Sequence, residues 1–227
     1  FAIVPNLRAR LPYDVTRDLD PVALLATQPF VLVVHPSLPA QNISQLIALA
    51  KAQPGALTYS TPGVGAGGHF CGELLNTMAG IQIRHIPYRG SAPALTDLVG
   101  GQVSMTFTSM AAVQAFVRNK RLRLLAVTSA KRSPLAPEAP TIAEKGVPGY
   151  DMRGWNAMVA PRGTVRPAIE RLNNEIAAII KSPEARERLA AQGYEPESGS
   201  PQQLADMIKS ELVRYGKLVK AVGMKAD

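Results

Sequence analysis

The glycine-rich stretch at residues 59–75, YSTPGVGAGGHFCGELL, is the part of the sequence best suited to ligand chemistry. A short β-like segment at residues 57–60 leads into the glycines, and a helix is predicted to begin near His69. Backbone N–H groups at the start of a helix have no intrahelical acceptor and lie at the positive end of the helix dipole. The stretch is therefore a candidate site for a carboxylate or a phosphate.

The pattern leaves open which anion binds there. Gly63, Gly65 and Gly68 match G-x-G-x-x-G, and Arg84 lies where the 2′-phosphate of NADP would need a partner. Against a dinucleotide, residues 57–60 are short and polar for a central Rossmann strand, Pro62 occupies the tight turn, and no acidic residue ends the next strand. An NADP-binding Rossmann-type enzyme using residues 63–68 is kept as the alternative hypothesis.

Catalytic motifs are missing from the sequence. There is no G-x-S-x-G, and the three histidines lack the spacing of metal ligands. The single cysteine, Cys71, excludes an intrachain disulfide and fits a small buried helix residue better than a nucleophile. His69 is equally compatible with donating to an anion and with capping the loop, whereas His85 fits a sheet position. We therefore predict no enzyme activity, catalytic residue, metal or cofactor.

The polar groups that remain near the turn are backbone donors and small hydroxyls, which suit reversible binding of a small carboxylate. The predicted ligand-binding residues are Thr61, Gly63, Val64, Gly65, Ala66, Gly67, Gly68, His69, Thr108 and Ser109.

Composition limits the possible partners. The 227 residues are 46% hydrophobic and 19% charged, as in an ordinary globular protein, and carry a net charge of +8. The positive charge favours acidic ligands. Only 5% of the residues are aromatic and the basic residues are scattered, which argues against nucleic acid. No apolar run approaches the roughly 20 residues of a membrane span.

The elements that position these groups alternate between strand and helix from residue 30 to residue 129. This order predicts a mostly parallel sheet with helices on both faces. Asn42 and Ser91 are expected to be N-caps of helices. Loops 61–68, 88–91 and 108–110 each follow a strand, and such loops converge where neighbouring parallel strands end.

The C-terminal part has a different character, because residues 166–181, 183–192 and 201–222 are predicted to be helices. Ser182 and Ser200 occupy their N-cap positions, each followed by proline. Such helices need a sheet to pack on, and we expect part of that α/β domain to lie upstream of Phe1.

Several segments carry a family resemblance, including the glycine loop, PYRGSAPALTDLVGGQV and LAVTSAKRSP. On these residues, from near Leu11 to the C-terminus, the chain resembles the periplasmic receptors of tripartite tricarboxylate transporters, the Bug-type or TctC-like proteins. The resemblance implies an α/β, type II-like periplasmic binding fold. It also implies a monomeric receptor, secreted with a signal peptide, that binds an organic carboxylate and delivers it to membrane transporter subunits.

The resemblance further implies two lobes that close on the ligand. Residues 1–35 and 155–227 would form the first lobe, lacking its N-terminal portion, and residues 36–154 the second. The family often has Ser or Thr at positions 66–68, where this chain has Ala-Gly-Gly, and Asp-Asn where it has Thr108-Ser109. Without that aspartate, a ligand ammonium loses a partner, so we expect a non-amino carboxylate to be preferred.

Overall fold

The computed structural model describes residues 2–8 and 11–224. The chain divides into two compact units, one formed by Phe1–Gln28 with Trp155–Asp227 and the other by Pro29–Gly154. The strands are β1 (Leu19–Pro29), β2 (Val31–Val34), β3 (Thr58–Thr61), β4 (Arg84–Pro87), β5 (Met105–Thr108), β6 (Arg123–Val127), β7 (Arg153–Pro161) and β8 (Glu195–Pro196). The α-helices are α1 (Val4–Leu7), α2 (Ile43–Ala52), α3 (Gly67–Ala79), α4 (Ser91–Val99), α5 (Met110–Arg118), α6 (Arg166–Lys181), α7 (Pro183–Ala191) and α8 (Pro201–Val222).

The unit Pro29–Gly154 is built on a five-stranded sheet in the order β4-β3-β5-β2-β6. Strand β3 pairs in parallel with both β4 and β5, as the alternation of elements predicts. Strand β2 corrects the expectation for the rest of the sheet, because it is antiparallel to both β5 and β6. All four β2 residues are buried, and a fully buried strand shows no direction in its sequence pattern.

Of the two N-cap residues predicted in this unit, the one for α2 is confirmed and the one for α4 is wrong. The Asn42 side chain accepts a hydrogen bond from the Gln45 N–H, which confirms it as the N-cap of α2. Ser91 is instead the first residue of α4, and the N-cap position belongs to Gly90, whose φ of 121° suits glycine. Valines of β2 and β6 form the core with Leu98 of α4 and Val113 of α5.

The other unit contains a three-stranded sheet in the order β7-β1-β8, together with α1, α6, α7 and α8. Its core includes Val15, Leu204 and Ile208, with Trp155 packed against them. The N-caps of α7 and α8 are the predicted serines, Ser182 and Ser200. The division of the chain also places residues 29–35, which the sequence analysis had assigned to the first lobe, in the unit Pro29–Gly154.

Candidate functional site

The three predicted loops meet at one edge of the five-stranded sheet. They follow β3, β4 and β5, which are parallel neighbours whose carboxyl ends lie side by side. The Gly90 N–H donates to the Pro62 carbonyl at 3.1 Å, which ties the second loop to the first. A small cleft of about 30 Å³ is lined by residues of all three segments, among them Pro62, Ser91 and Thr108.

Helix α3 begins at Gly67, two residues before the predicted start, and its N-cap residue Ala66 makes no side-chain capping bond. The Ala66 N–H donates within the loop to Gly63 O, at 3.3 Å. Among the described residues, we find no hydrogen-bond acceptor for the N–H groups of Val64, Gly67 and Gly68. These three donors, at the positive end of α3, can bind an anionic oxygen.

Close packing explains why glycine occupies two positions of this helix start. A Cβ atom on Gly67 would overlap the ring of Phe30, and one on Gly68 would lie 2.5 Å from the carbonyl oxygen of Phe107. Phe30 connects β1 to β2, and its N–H donates to Thr128 Oγ1 at 2.9 Å. Phe30 was not among the predicted site residues, because nothing in the sequence links it to Gly67.

His69 bonds to the glycine loop, which is one of the two roles that the sequence left open, and its contact with an anion stays a prediction. Its Nδ1 accepts a hydrogen bond from the Gly65 N–H at 3.1 Å, so that donor is already used. The side chain is buried, with 7% of the residue surface exposed. Burial, followed by the neighbouring His85, lowers the pKa of His69 to about 4, so the ring is neutral at neutral pH.

The Thr61 side chain forms hydrogen bonds within the protein, and its predicted contact with the ligand stays a prediction. The residue is fully buried, and its Oγ1 lies 2.6 Å from His85 Nε2 and 3.0 Å from Gly63 O. Because the Thr61 hydroxyl has a single proton and already contacts both groups, it helps to hold the glycine loop in place. His85, predicted only as a sheet residue, is thereby part of the site's support.

Thr108 and Ser109 lie at the carboxyl end of β5 and are both partly exposed. Thr108 ends β5, and Ser109 is the N-cap residue of α5 without a side-chain capping bond. Their hydroxyls add donors and acceptors beside the start of α3 without adding charge.

The described residues contain no group of three or more His, Cys, Asp and Glu residues able to hold a metal ion. Cys71 is buried within α3, as expected of a packing residue. No described helix combines the length and the apolar character needed to cross a membrane.

Comparison with known sequences gives one family, the tripartite tricarboxylate transporter family receptors, which matches residues 1–224. A protein of Pseudomonas sp. (strain P51), named UPF0065 protein in tcbD-tcbE intergenic region, is 42% identical over 96% of this chain and 65% of its own length. Protein BugT of Bordetella pertussis is 37% identical over 99% of this chain and 69% of its own length. This chain therefore spans about two thirds of these curated relatives.

The fold of this chain is also similar to that of several solved structures. Rpa4515 of R. palustris with adipate has a TM-score of 0.83 and 38% identity, over 96% of this chain and 73% of that one. The periplasmic binding protein BugD has a TM-score of 0.82 and 28% identity, over 100% and 76%. MatC of Rhodopseudomonas palustris with bound malate has a TM-score of 0.79 and 26% identity, over 96% and 75%.

Proposed function

This chain belongs to the tripartite tricarboxylate transporter receptor family, and we propose that it binds a small organic carboxylate for uptake by a transporter of that type. The family consists of solute receptors, and its type II-like periplasmic binding fold is the fold expected from the resemblance. For this chain, location in the periplasm, a monomeric state and delivery to membrane transporter subunits are parts of the proposal.

The observation that carries the proposal is the uncapped start of α3. The N–H groups of Val64, Gly67 and Gly68 lack acceptors among the described residues, and a carboxylate supplies the oxygens that they need. Two structural neighbours were solved with dicarboxylates, adipate and malate, which supports ligands of this class.

The helix start alone does not provide high affinity. Its dipole contributes roughly 0.3–2 kcal/mol, whereas micromolar binding needs about 8 kcal/mol. Thr108 and Ser109 are proposed to add hydrogen bonds, directly or through water. His69 and Thr61 are proposed to act on the loop and not on the ligand, since His69 Nδ1 and Thr61 Oγ1 already bond within it.

The proposed ligand is a carboxylate without an amino group. A ligand ammonium requires a carboxylate or several carbonyl acceptors, and the pair Thr108-Ser109 offers two hydroxyls. The two compact units are proposed to be the two lobes of the fold, with the boundary at residue 28 and not at residue 35. Their closure on the ligand remains a prediction.

Isothermal titration calorimetry with a panel of small acids tests this function. We expect binding of dicarboxylates such as adipate, succinate or malate, weaker binding of glutamate and aspartate, and no binding of NADP. Ser109→Asp places a negative charge at the site and is expected to abolish binding, whereas Ser109→Ala serves as the uncharged control. Tighter binding of glutamate than of dicarboxylates would contradict the proposed ligand class, and saturable NADP binding would favour the enzyme hypothesis.

A further inference from the structure

Two histidines stack face to face beneath the glycine loop. The rings of His69, on α3, and His85, on β4, have centroids 3.8 Å apart and planes 16° apart. The ring of Tyr59, on β3, lies beside the pair, with its centroid 5.0 Å from that of His85 and 6.5 Å from that of His69. Stacking at this distance suits two neutral imidazoles, whereas two imidazolium ions would repel each other in a buried site.

Each ring holds a different part of the loop. His69 Nδ1 accepts from the Gly65 N–H, so its proton is assigned to Nε2. Thr61 Oγ1 is near both Gly63 O and His85 Nε2, and its single proton can go to only one of them. The consistent assignment has His85 Nε2–H donating to Thr61, which in turn donates to Gly63 O.

The surroundings of the pair favour the neutral rings. Burial lowers the pKa of both His69 and His85 to about 4. The titratable side chain that lies against both rings is Tyr59 of β3, and Glu73 and Cys71 of α3 interact electrostatically with its hydroxyl. The Glu73 carboxylate accepts a hydrogen bond of 2.6 Å from the Tyr59 hydroxyl, which partly neutralises the carboxylate charge. Arg84 precedes His85 on β4 and is exposed.

We propose that His69 and His85 are a positioning pair that holds the glycine loop in its anion-binding form, and that protonation of the pair releases the anion. The inference rests on the proposed function and goes beyond it, because it assigns regulation of the site to residues that do not touch the ligand. A protonated His69 presents N–H to the Gly65 N–H, so the contact becomes donor against donor, and the two stacked rings then repel.

Amide replacements separate hydrogen bonding from titration. Asparagine at position 69 places an amide oxygen near the Nδ1 position, and glutamine at position 85 places an amide nitrogen near Nε2. At pH 7.5, His69→Asn and His85→Gln are expected to keep adipate affinity within about threefold, whereas His69→Leu and His85→Leu weaken it about tenfold or more. Rescue by the amides distinguishes positioning from simple packing.

The second test is the dependence of adipate affinity on pH below neutrality. Adipate affinity of the unaltered protein and of the double variant His69→Asn/His85→Gln is measured from pH 7.5 to pH 4. Both proteins experience the same protonation of adipate, so the ratio of their affinities reports on the histidines alone. We expect the unaltered protein to lose at least about threefold relative to the double variant by pH 4.

A ligand-free measurement keeps this inference separate from the proposed function. In ¹H–¹⁵N spectra, the Gly63 and Gly65 amide signals should shift with acid in the unaltered protein and stay constant in the double variant. If they do so and adipate does not bind, the loop support stands and the proposed function fails. The inference is overturned if adipate binds with equal pH dependence in both proteins, or if the leucine variants bind as well as the amide variants.

Discussion

At the residue scale, the site depends on two glycines that are required for different steric reasons. A Cβ atom on Gly68 would meet the backbone carbonyl of Phe107, which the β5 ladder holds in place. A Cβ atom on Gly67 would meet only the ring of Phe30. Side-chain rings can move or be removed, whereas a carbonyl in a central strand cannot.

These environments predict different rescue behaviour. Gly67→Ala and Gly68→Ala should each lower the free energy of unfolding by roughly 1–3 kcal/mol, measured by urea denaturation. Adding Phe30→Ala should recover most of the loss in Gly67→Ala but none of that in Gly68→Ala, after correction for the effect of Phe30→Ala itself. No recovery of Gly67→Ala by Phe30→Ala would show that Phe30 does not occupy the space above Gly67.

The sequence predicted the glycine loop as a binding element but not the direction of its polar side chains. Thr61 was expected at the ligand, yet it is the last residue of β3 and its hydroxyl bonds to Gly63 and His85. Alternation fixes the side-chain direction of a strand residue but not that of a loop residue, so the prediction that placed Thr61 in the loop left its direction undetermined. The strand was predicted to end at residue 60 and ends at residue 61.

At the element scale, α3 differs from several other helices in having no side chain at its N-terminus to accept from its free N–H groups. Asn42, Ser182 and Ser200 supply such an acceptor to α2, α7 and α8. Ala66 supplies none to α3. In the proposed function, the ligand carboxylate takes the place of the missing cap.

Capping α3 with a side chain should therefore stabilise the protein and weaken ligand binding together. Ala66→Asn is expected to raise the free energy of unfolding by about 1 kcal/mol. Ala66→Asp should stabilise at least as much, because its charge also interacts with the helix dipole. Calorimetry should show weaker adipate binding for the asparagine variant and weaker still for the aspartate variant. A stabilised aspartate variant with unchanged affinity would place the anion elsewhere.

The starts and ends of several helices were predictable, because they depend on residues close together in the sequence. The caps Asn42, Ser182 and Ser200 follow from residue type and spacing, and the bounds of α6 and α8 agree with the prediction. The antiparallel direction of β2 was not predictable, because it depends on contacts with β5 and β6, which lie far along the chain. Local sequence patterns contain no information on such pairings.

At the scale of the whole molecule, the buried histidines should make the fold sensitive to mild acid. Burial lowers the pKa of His69 and His85 to about 4, against an ordinary value of 6.5 in the unfolded chain. Between these values the unfolded chain binds more protons, so stability is full above pH 6.5 and falls as the pH drops toward 4. The carboxylates Asp14, Asp18 and Glu144 have pKa values lowered from ordinary values of 3.8 to 4.5, so their contribution to stability is lost mainly at the acid end of this range and below it.

Urea denaturation at several pH values checks this window. The unaltered protein should lose stability steadily from pH 6.5 to pH 4, and His69→Asn/His85→Gln should show a flatter profile over the same range. The same slope in the unaltered protein and in the double variant would contradict the assignment.

The unit Pro29–Gly154 contains all the residues named above for the candidate anion site. It is a single continuous segment that includes the five-stranded sheet, its covering helices and the glycine loop with both supporting histidines. A segment of this size can bury a core of its own, and buried residues of β2, β6, α4 and α5 form that core here. The other unit is made of two separate segments, so cutting the chain at residues 28 and 154 leaves this one uninterrupted.

We therefore expect a protein of residues 29–154 to fold without the remainder of the chain. It should unfold cooperatively on heating and show dispersed ¹H–¹⁵N signals, including the Gly65 amide that is bonded to His69. Gly68→Ala in this shorter protein is a matched control, since it should disturb the loop signals by forcing α3 away from β5. Retained secondary structure without a cooperative transition would mean that the five-stranded sheet depends on the other unit for its side-chain packing.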